Sequence, residues 1–254
     1  MPSDHRLGFA ASALVLACAL TACGTDGERA VAEPTRSTAP TPAAQPSMTP
    51  TPDVTPSPTA TPERTRPRRG VDASHHQGEI DWQQVSRDLI DFAYLKTTEG
   101  SSFTDPRFAS NARAARRAGL RVGGYHYFTL CSPGAPQAEH FASVLEASPA
   151  RTMPPAIDLE LIGNCADPPP REDLLREVRA FIDLVEDRVG RRMVVYVYPD
   201  LEAQYRLSTA LDRPLWVRRI GDTPPEGDWW MWQRDDQAEV AGIDAPADLN
   251  LLAP

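Results

Sequence analysis

The amino-acid sequence predicts one folded α/β domain over residues 70–254, an irregular (β/α) barrel of about eight strands and five helices. Short runs of β-branched and aromatic residues alternate with amphipathic segments, as in parallel strands that are joined by outer helices. Residues 215–254 keep such runs, but their connections are too short for substantial helices. The domain is also shorter than the ~250 residues of a full barrel, which fits a partly lost helical layer.

The elements follow from local composition and periodicity. The expected strands are 70–74, 92–98, 121–128, 155–160, 192–198, 215–220, 229–234 and 247–251. The expected helices are 80–88, 105–118, 136–147, 171–189 and 200–207. Segment 171–189 is the clearest, because its apolar residues recur at spacings of three and four. An open doubly wound sheet is the alternative fold that the same alternation allows.

The residues before the domain have a composition that excludes a packed core. Ten of the 26 prolines lie between Pro34 and Pro67, so we expect residues 23–69 to form a disordered Pro/Thr-rich linker. The apolar stretch from Leu7 to Leu20 predicts a signal peptide over residues 1–22. The sequence Leu20-Thr21-Ala22-Cys23 resembles a bacterial lipobox, which implies that Cys23 carries a lipid. A simple cleaved signal with a chance cysteine is the alternative.

Net charge restricts the partners of the domain. The chain has a formal charge of −9, and residues 24–69 hold five acidic and six basic residues. Residues 1–22 are neutral, so residues 70–254 carry about −10. A domain this acidic repels phosphate, and we expect no nucleic-acid partner.

The remaining cysteines predict a disulfide. Export would leave only Cys131 and Cys165 in the folded domain, and paired cysteines are typical of oxidising compartments. Two unpaired thiols are the alternative. The spacing lacks the CxxC pattern of a zinc site.

Carboxylates gather where a parallel barrel places its active site, at the C-terminal ends of the strands. Asp72, Glu99, Asp158 and Glu160 lie at or near the end of an expected strand, and Asp248 belongs to the eighth expected strand. Asp158 and Glu160 are two residues apart, so both side chains point to the same face of their strand. Neighbouring negative charge raises the pKa of one member of such a pair, which suits a general acid.

Several ordered motifs together resemble the glycoside hydrolase family 25 muramidases. They are Gly70-Val71-Asp72-Ala73-Ser74-His75-His76-Gln77-Gly78, Tyr94-Leu95-Lys96-Thr97-Thr98-Glu99-Gly100, Gly123-Gly124-Tyr125-His126-Tyr127-Phe128, the Asp158/Glu160 pair, Trp232-Gln233 and Ala247-Asp248-Leu249-Asn250. The resemblance implies hydrolysis of the β-1,4 bond between N-acetylmuramic acid and N-acetylglucosamine. It implies Glu160 as the catalytic acid, with Asp72, Asp158 and Asp248 around the cleaved bond.

The resemblance also implies a substrate-binding set and a cellular setting. Candidate substrate-binding residues are Glu99, His126, Tyr196, Tyr198 and Trp232. Core packing is the alternative for each of the three aromatic residues, an ion pair with Lys96 for Glu99, and a hydrogen-bonded position within the barrel for His126. We expect a monomer without cofactor or bound metal, exported to the outer face of the plasma membrane and acting on peptidoglycan glycan strands.

Two other function classes remain open at this point. One is a wall-binding module that kept the barrel without turnover. The other is a metal-dependent polysaccharide deacetylase, in which His75, His76 and Asp72 would hold the metal.

Overall fold

The computed structural model describes residues 66–254, which form a closed barrel. The expected signal peptide 1–22, Cys23 and the linker up to residue 65 lie outside the described residues. Within the described part, no helix has both the length and the apolar character that a membrane span needs.

Nine strands and six helices make up this part of the chain. The strands are β1 (Arg69–Ala73), β2 (Ile90–Glu99), β3 (Phe103–Thr104), β4 (Arg121–Tyr127), β5 (Ala156–Leu159), β6 (Val194–Val197), β7 (Leu215–Arg218), β8 (Met231–Val240) and β9 (Ile243–Leu252). The helices are α1 (Trp82–Arg87), α2 (Phe108–Arg117), α3 (Gly134–Glu146), α4 (Arg171–Val189), α5 (Pro199–Tyr205) and α6 (Ser208–Leu211).

Eight of these strands close on themselves. They follow the order β1-β9-β8-β7-β6-β5-β4-β2, and β1 pairs with β2 to complete the ring. The short strand β3 pairs only with β2, at its end. The predicted barrel is therefore confirmed over the open sheet.

The last two strands depart from a uniform (β/α) pattern. β9 runs antiparallel to both β8 and β1, whereas the other neighbours in the ring are parallel. β8 and β9 also extend well beyond the expected strands 229–234 and 247–251, as a hairpin that turns at Gly242. Gly242 has a φ of 93°, and a Cβ there would lie 2.4 Å from the Asp81 carbonyl oxygen. Because the hairpin contains many polar residues, the sequence did not predict the full length of its two strands. The short elements β3 and α6 were also not predicted.

The barrel begins slightly before the expected boundary at residue 70. β1 starts at Arg69, and the Arg66 guanidinium makes a bidentate ion pair with Asp91, with N–O distances of 2.8 and 2.9 Å. The last four residues assigned to the linker therefore pack on the barrel.

Alternating side chains along each strand divide the protein into two cores. Outward-facing residues pack beneath the helices, and inward-facing residues such as Phe92, Tyr94, Trp216 and Met231 fill the lower barrel. A Cβ on Gly123 would lie 2.5 Å from the Tyr94 ring, so the absence of a side chain makes room for that ring. The filled lower barrel leaves space only at the opposite end, the mouth, where the parallel strands end.

The predicted disulfide is present. Cys131 and Cys165 are joined, with their Cα atoms 5.9 Å apart and a sequence separation of 34 residues. It ties the loop after β4 to the loop after β5. Since the β5 loop begins at Glu160, the bridge restrains the segment that follows this residue.

Candidate active site

A small cavity with a volume of about 120 Å³ lies inside the mouth of the barrel. Its lining combines four carboxyl groups with aromatic and amide side chains from seven different strands or their ends. The lining residues are Asp72, Tyr125, Asp158, Glu160, Tyr196, Trp216, Gln233 and Asp248. All four residues predicted as catalytic from the sequence are therefore brought together.

Asp158 and Glu160 extend from β5 and the residue that follows it, on the same side of the strand. Burial, the neighbouring Glu160 carboxylate and other acids raise the pKa of Asp158 well above its usual value, against the opposing effect of Lys96. Burial, followed by the charges of Asp200 and Asp248, likewise raises the pKa of Glu160. Asp158 Oδ1 is buried without a hydrogen-bond partner among the described residues, so it is available to a ligand.

Asp72 and Asp248 form a second carboxyl pair. They face each other across β1 and β9, and their side chains hydrogen-bond. Burial and Asp248 raise the pKa of Asp72, so this pair retains a proton more readily than an isolated aspartate. Asn250 Nδ2 donates to Asp72 Oδ2 at 2.7 Å, and its Oδ1 accepts from Trp216 Nε1 at 2.8 Å.

Asp248 lies at a different position along its strand than the other acids of the mouth. Asp72, Asp158 and Glu160 lie at the C-terminal ends of parallel strands, whereas Asp248 lies in the middle of the antiparallel strand β9. Because β9 continues past the mouth as part of the hairpin, its central residues reach the level of Asp72.

Several lining residues were not singled out from the sequence. Tyr125, Trp216 and Gln233 enter the cavity because each faces inward from β4, β7 or β8. The Tyr196 hydroxyl donates to Gln233 Oε1 at 2.9 Å, and Gln233 in turn hydrogen-bonds Asp248. The two-residue period that assigns Asp158 and Glu160 to one face would also have found Tyr125 beside Tyr127.

The rim of the mouth carries two cations that face the acids. Lys96 Nζ lies 2.5 Å from Glu99 Oε2 and 4.8 Å from the centre of the Tyr127 ring. Glu99 is thus at the rim rather than in the cavity, as a partner of Lys96. The Arg218 guanidinium lies 4.9 Å from the centre of the Tyr198 ring and pairs with Asp236. Tyr198 is therefore beside the cavity, and its ring is covered by a cation.

Asp200, in the first turn of α5, is a further acid near the mouth that the sequence did not mark. Its Oδ1 accepts from the Leu201 amide at 2.7 Å, while its Oδ2 is buried without a hydrogen-bond partner among the described residues. After burial, the charge of Asp200 is the largest influence that raises the pKa of Glu160.

The structure does not bring His126 into the mouth. Its side chain points outward from β4 and stacks on Phe181, with ring centres 4.7 Å apart. Nδ1 lies 2.8 Å from Thr98 Oγ1, and Nε2 lies 3.2 Å from Gln137 Oε1. Burial lowers the pKa of His126 to about 3, so the ring is a neutral packing residue between sheet and helices. His126 lies away from the cavity because it is one position out of phase with Tyr125 and Tyr127, whose side chains point to the other face of β4.

Trp232 also lies outside the cavity, because it is one position out of phase with the inward-facing residues of β8. Met231 and Gln233 face the barrel interior, so Trp232 between them faces outward. Its Nε1 donates to the Arg219 carbonyl oxygen at 2.6 Å, and its ring lies 6.2 Å from that of Trp229. Trp216 is the tryptophan that lines the cavity.

The arrangement expected for a metal-dependent deacetylase is not formed. His75 Nδ1 lies 2.8 Å from Asp105 Oδ2, whereas Asp72 is bound to Asn250. Within residues 66–254, no group of three or more His, Cys, Asp or Glu side chains has the geometry of a metal site.

Comparison with protein families identifies the chain. The model of the glycosyl hydrolases family 25 matches residues 71–243, which spans the barrel strands up to the start of β9. The chain belongs to glycosyl hydrolases family 25. It is therefore a glycoside hydrolase.

Relatives within family 25 have similar sequences and structures. The autolytic lysozyme of Clostridium acetobutylicum is 31% identical over 185 residues, a match that covers 72% of this chain and 55% of the lysozyme. A family 25 glycosyl hydrolase from Bacillus anthracis matches with a TM-score of 0.67 at 30% identity, over 76% of this chain and 92% of that one. The bacterial lysozyme from Streptomyces coelicolor also has a TM-score of 0.67, at 27% identity, over 75% of this chain and 94% of its own.

The buried, neutral state of His126 predicts a specific dependence of stability on pH. The unfolded chain binds a proton at the usual pKa of 6.5, and the folded chain does so only near 3. The contribution of His126 to stability is therefore complete above about pH 6.5 and is lost as the pH falls. Relative to His126→Gln, the wild-type free energy of unfolding should fall by about 1.4 kcal/mol per pH unit between those limits.

Urea unfolding at a series of pH values measures this difference in slope. His140→Gln is the matched control, since His140 makes exposed hydrogen bonds at Thr104 and should leave the slope unchanged. Parallel curves for wild type and His126→Gln would contradict the assignment.

Proposed function

We propose that this glycoside hydrolase is a peptidoglycan muramidase that cleaves the β-1,4 bond between N-acetylmuramic acid and N-acetylglucosamine, with Glu160 as the general acid. The observation that carries the proposal is the enclosed carboxyl cluster at the barrel mouth, in which burial and mutual repulsion raise the pKa values of Asp158 and Glu160. Membership of family 25 and the lysozyme relatives support the substrate.

Glu160 has the properties required of the acid. It is the last carboxyl group of the β5 segment and is partly exposed, whereas Asp158 is more deeply enclosed. A raised pKa keeps a proton on the Glu160 carboxyl group up to a higher pH than in an isolated glutamate, and that proton is available to the leaving oxygen.

Asp158 has an open acceptor suited to the 2-acetamido group of the substrate. Its buried Oδ1 lacks a partner among the described residues, and an acetamido N–H supplies the missing donor. Such a hydrogen bond favours the ionised form of Asp158, and the proton shared by the pair then resides on Glu160. With substrate bound, Asp158 is therefore the ionised acceptor and Glu160 is the protonated acid.

The reaction then proceeds with the substrate's own nucleophile. The acetamido carbonyl oxygen bonds to the anomeric carbon as the glycosidic C–O bond breaks, and the leaving oxygen takes the proton of Glu160. Water next opens the cyclic intermediate, and the Glu160 carboxylate accepts the water proton. The alternative is direct displacement by water, with Asp72 or Asp158 as base, and the configuration of the released sugar distinguishes the two routes.

The aromatic and amide groups of the cavity suit a sugar ligand. Tyr125, Tyr196 and Trp216 offer ring surfaces, and Tyr196, Gln233 and Asn250 fix the acids through hydrogen bonds. Tyr198 and Glu99 at the rim are assigned to neighbouring sugar units, next to Arg218 and Lys96 respectively.

The proposed setting is the bacterial cell wall outside the plasma membrane. Residues 1–22 act as an export signal, a lipid on Cys23 holds the monomeric protein at the membrane, and residues 24–65 separate the anchor from the barrel. The lysozyme relatives support action outside the cell, and the disulfide fits an oxidising compartment.

A non-catalytic wall-binding module is the second candidate function. Loss of turnover commonly follows loss of a catalytic group, whereas here the acids around the cavity are all retained. The enzyme is therefore the better supported of the two.

The catalytic proposal predicts that Glu160→Gln abolishes turnover. Removal of the general acid should reduce the release of reducing sugar from purified peptidoglycan by at least about 100-fold. The substrate is incubated with residues 24–254 in the presence of EDTA, which should not lower the wild-type rate. Glu79→Gln is the control, because Glu79 is 90% exposed and lies away from the cavity.

Two results would contradict this assignment. Peptidoglycan binding by the wild type without turnover would favour the wall-binding module, and loss of activity in EDTA would favour a metal-dependent enzyme.

The anchoring proposal predicts that Cys23→Ala releases the protein. Replacing the cysteine removes the site of lipid attachment, so full-length protein should move from the membrane fraction to the soluble exported fraction. Fractionation and immunoblotting measure the distribution, with Cys18→Ala as the matched control. A Cys23→Ala protein that stays with the membrane would refute the anchor.

A further inference from the structure

The end of the barrel opposite the mouth carries an unusual set of cations. Arg68 directly precedes β1, Arg121 opens β4, and Arg151 and Arg191 lie in the loops that lead into β5 and β6. We call these four residues the arginine face. Since β1, β2, β4, β5 and β6 are consecutive in the ring, the four residues form a continuous arc around the end of the barrel.

The cations of the arginine face are not neutralised by acids. At the same end, Arg66 pairs with Asp91 and Arg213 with Glu186, but none of the four has a carboxylate partner within residues 66–254. Arg191 instead donates to the carbonyl oxygens of Arg151 and Met153. Burial, followed by the nearby guanidinium groups of Arg68 and Arg191, lowers the pKa of Arg121.

Apolar groups are interspersed with the arginines. Leu89 is 55% exposed and lies in a groove together with Arg68 and Arg121. On the other side of Arg68, a groove with a volume of about 750 Å³ is lined by Trp229, Trp232 and the C-terminal residue Pro254. Cations mixed with the exposed Leu89 and the half-buried Trp229 suit the headgroup region of a bilayer better than a soluble polyanion, which offers no apolar phase.

The chain enters the barrel at this same end. The described residues begin at Arg66, so residues 24–65 attach beside Arg68. At ~3.1 Å per residue or less, this segment keeps the barrel within reach of an anchor at Cys23 and raises the local concentration of the arginine face at the membrane.

We propose that the arginine face docks on an anionic lipid bilayer and turns the barrel mouth away from it, toward the wall. The acids Asp72, Asp158, Glu160 and Asp248 lie at the opposite end, where the surface of an anionic membrane repels them. The orienting role rests on the proposed anchor at Cys23, whereas affinity for anionic lipid does not require it.

Vesicle co-sedimentation tests the proposal with residues 24–254, which lack the lipid. The vesicles contain phosphatidylcholine alone or with about 30% phosphatidylglycerol, at low and high salt. Binding should occur only to the anionic vesicles and should weaken as salt is raised. Because each arginine near such a surface contributes about a factor of five, Arg68→Gln/Arg151→Gln/Arg191→Gln should bind on the order of 100-fold more weakly.

A second triple variant controls for net charge. Arg113→Gln/Arg179→Gln/Arg206→Gln removes three exposed arginines from α2, α4 and the end of α5, and its binding should stay within about twofold of wild type. Both triple variants should retain activity on soluble peptidoglycan fragments, which verifies folding and is independent of lipid binding. If Arg191→Gln impairs folding, Arg68→Gln/Arg151→Gln should still weaken binding about 25-fold.

Three results would overturn the proposal. They are equal binding of the wild type to both vesicle types or binding to neither, an equal loss of binding in the two triple variants, and tighter binding to poly(glycerol phosphate) than to the anionic vesicles.

Discussion

The confinement of four carboxyl groups in one small cavity is the constraint on which the rest of the site depends. Asp72, Asp158, Glu160 and Asp248 line about 120 Å³, so they cannot all be ionised without strong repulsion. Burial raises their pKa values, and the two pairs retain protons. A protonated acid next to an open acceptor is the arrangement that glycoside hydrolysis requires.

The surrounding residues limit this repulsion without removing it. Asn250 and Gln233 donate hydrogen bonds to the Asp72 and Asp248 pair, and Lys96 and Arg218 oppose the rise in pKa at the mouth. The interior below the cavity is packed instead with apolar and aromatic side chains such as Phe92, Tyr94 and Met231. The apolar floor therefore keeps water out from below, and the polar mouth faces the substrate.

The sequence was most informative where strand periodicity and strand ends decide position. Asp72, Asp158 and Glu160 could be assigned to the mouth because parallel strands end there. His126 and Trp232 lie outside the cavity, which the motifs did not show. A motif does not indicate which of its residues face the barrel interior, and neighbouring residues of a strand point to opposite faces. The hairpin of β8 and β9 could not be predicted, since its polar residues pair with each other beyond the barrel. Asp200 carried no sequence signal, because its effect depends on a position reached only in the folded barrel.

The two ends of the barrel differ in the sign of their charged side chains. The acids of the mouth lie at one end of the barrel and the arginine face at the other, and residue 66 lies at the arginine end. In the proposed setting, the length of the proline-rich segment before residue 66 sets how far Glu160 can lie from an anchor at Cys23.

The proposed mechanism depends on a proton that the carboxyl cluster holds on Glu160. Carbon-13 NMR of glutamate-labelled residues 24–254, with the signal assigned through Glu160→Gln, follows this carboxyl group directly as pH is raised. The account predicts an apparent pKa above the usual 4.5, which falls in Asp200→Asn and is unchanged in the control Asp212→Asn, where the replaced side chain is fully exposed. An apparent pKa at or below 4.5, or one that Asp200→Asn leaves unchanged, would contradict it.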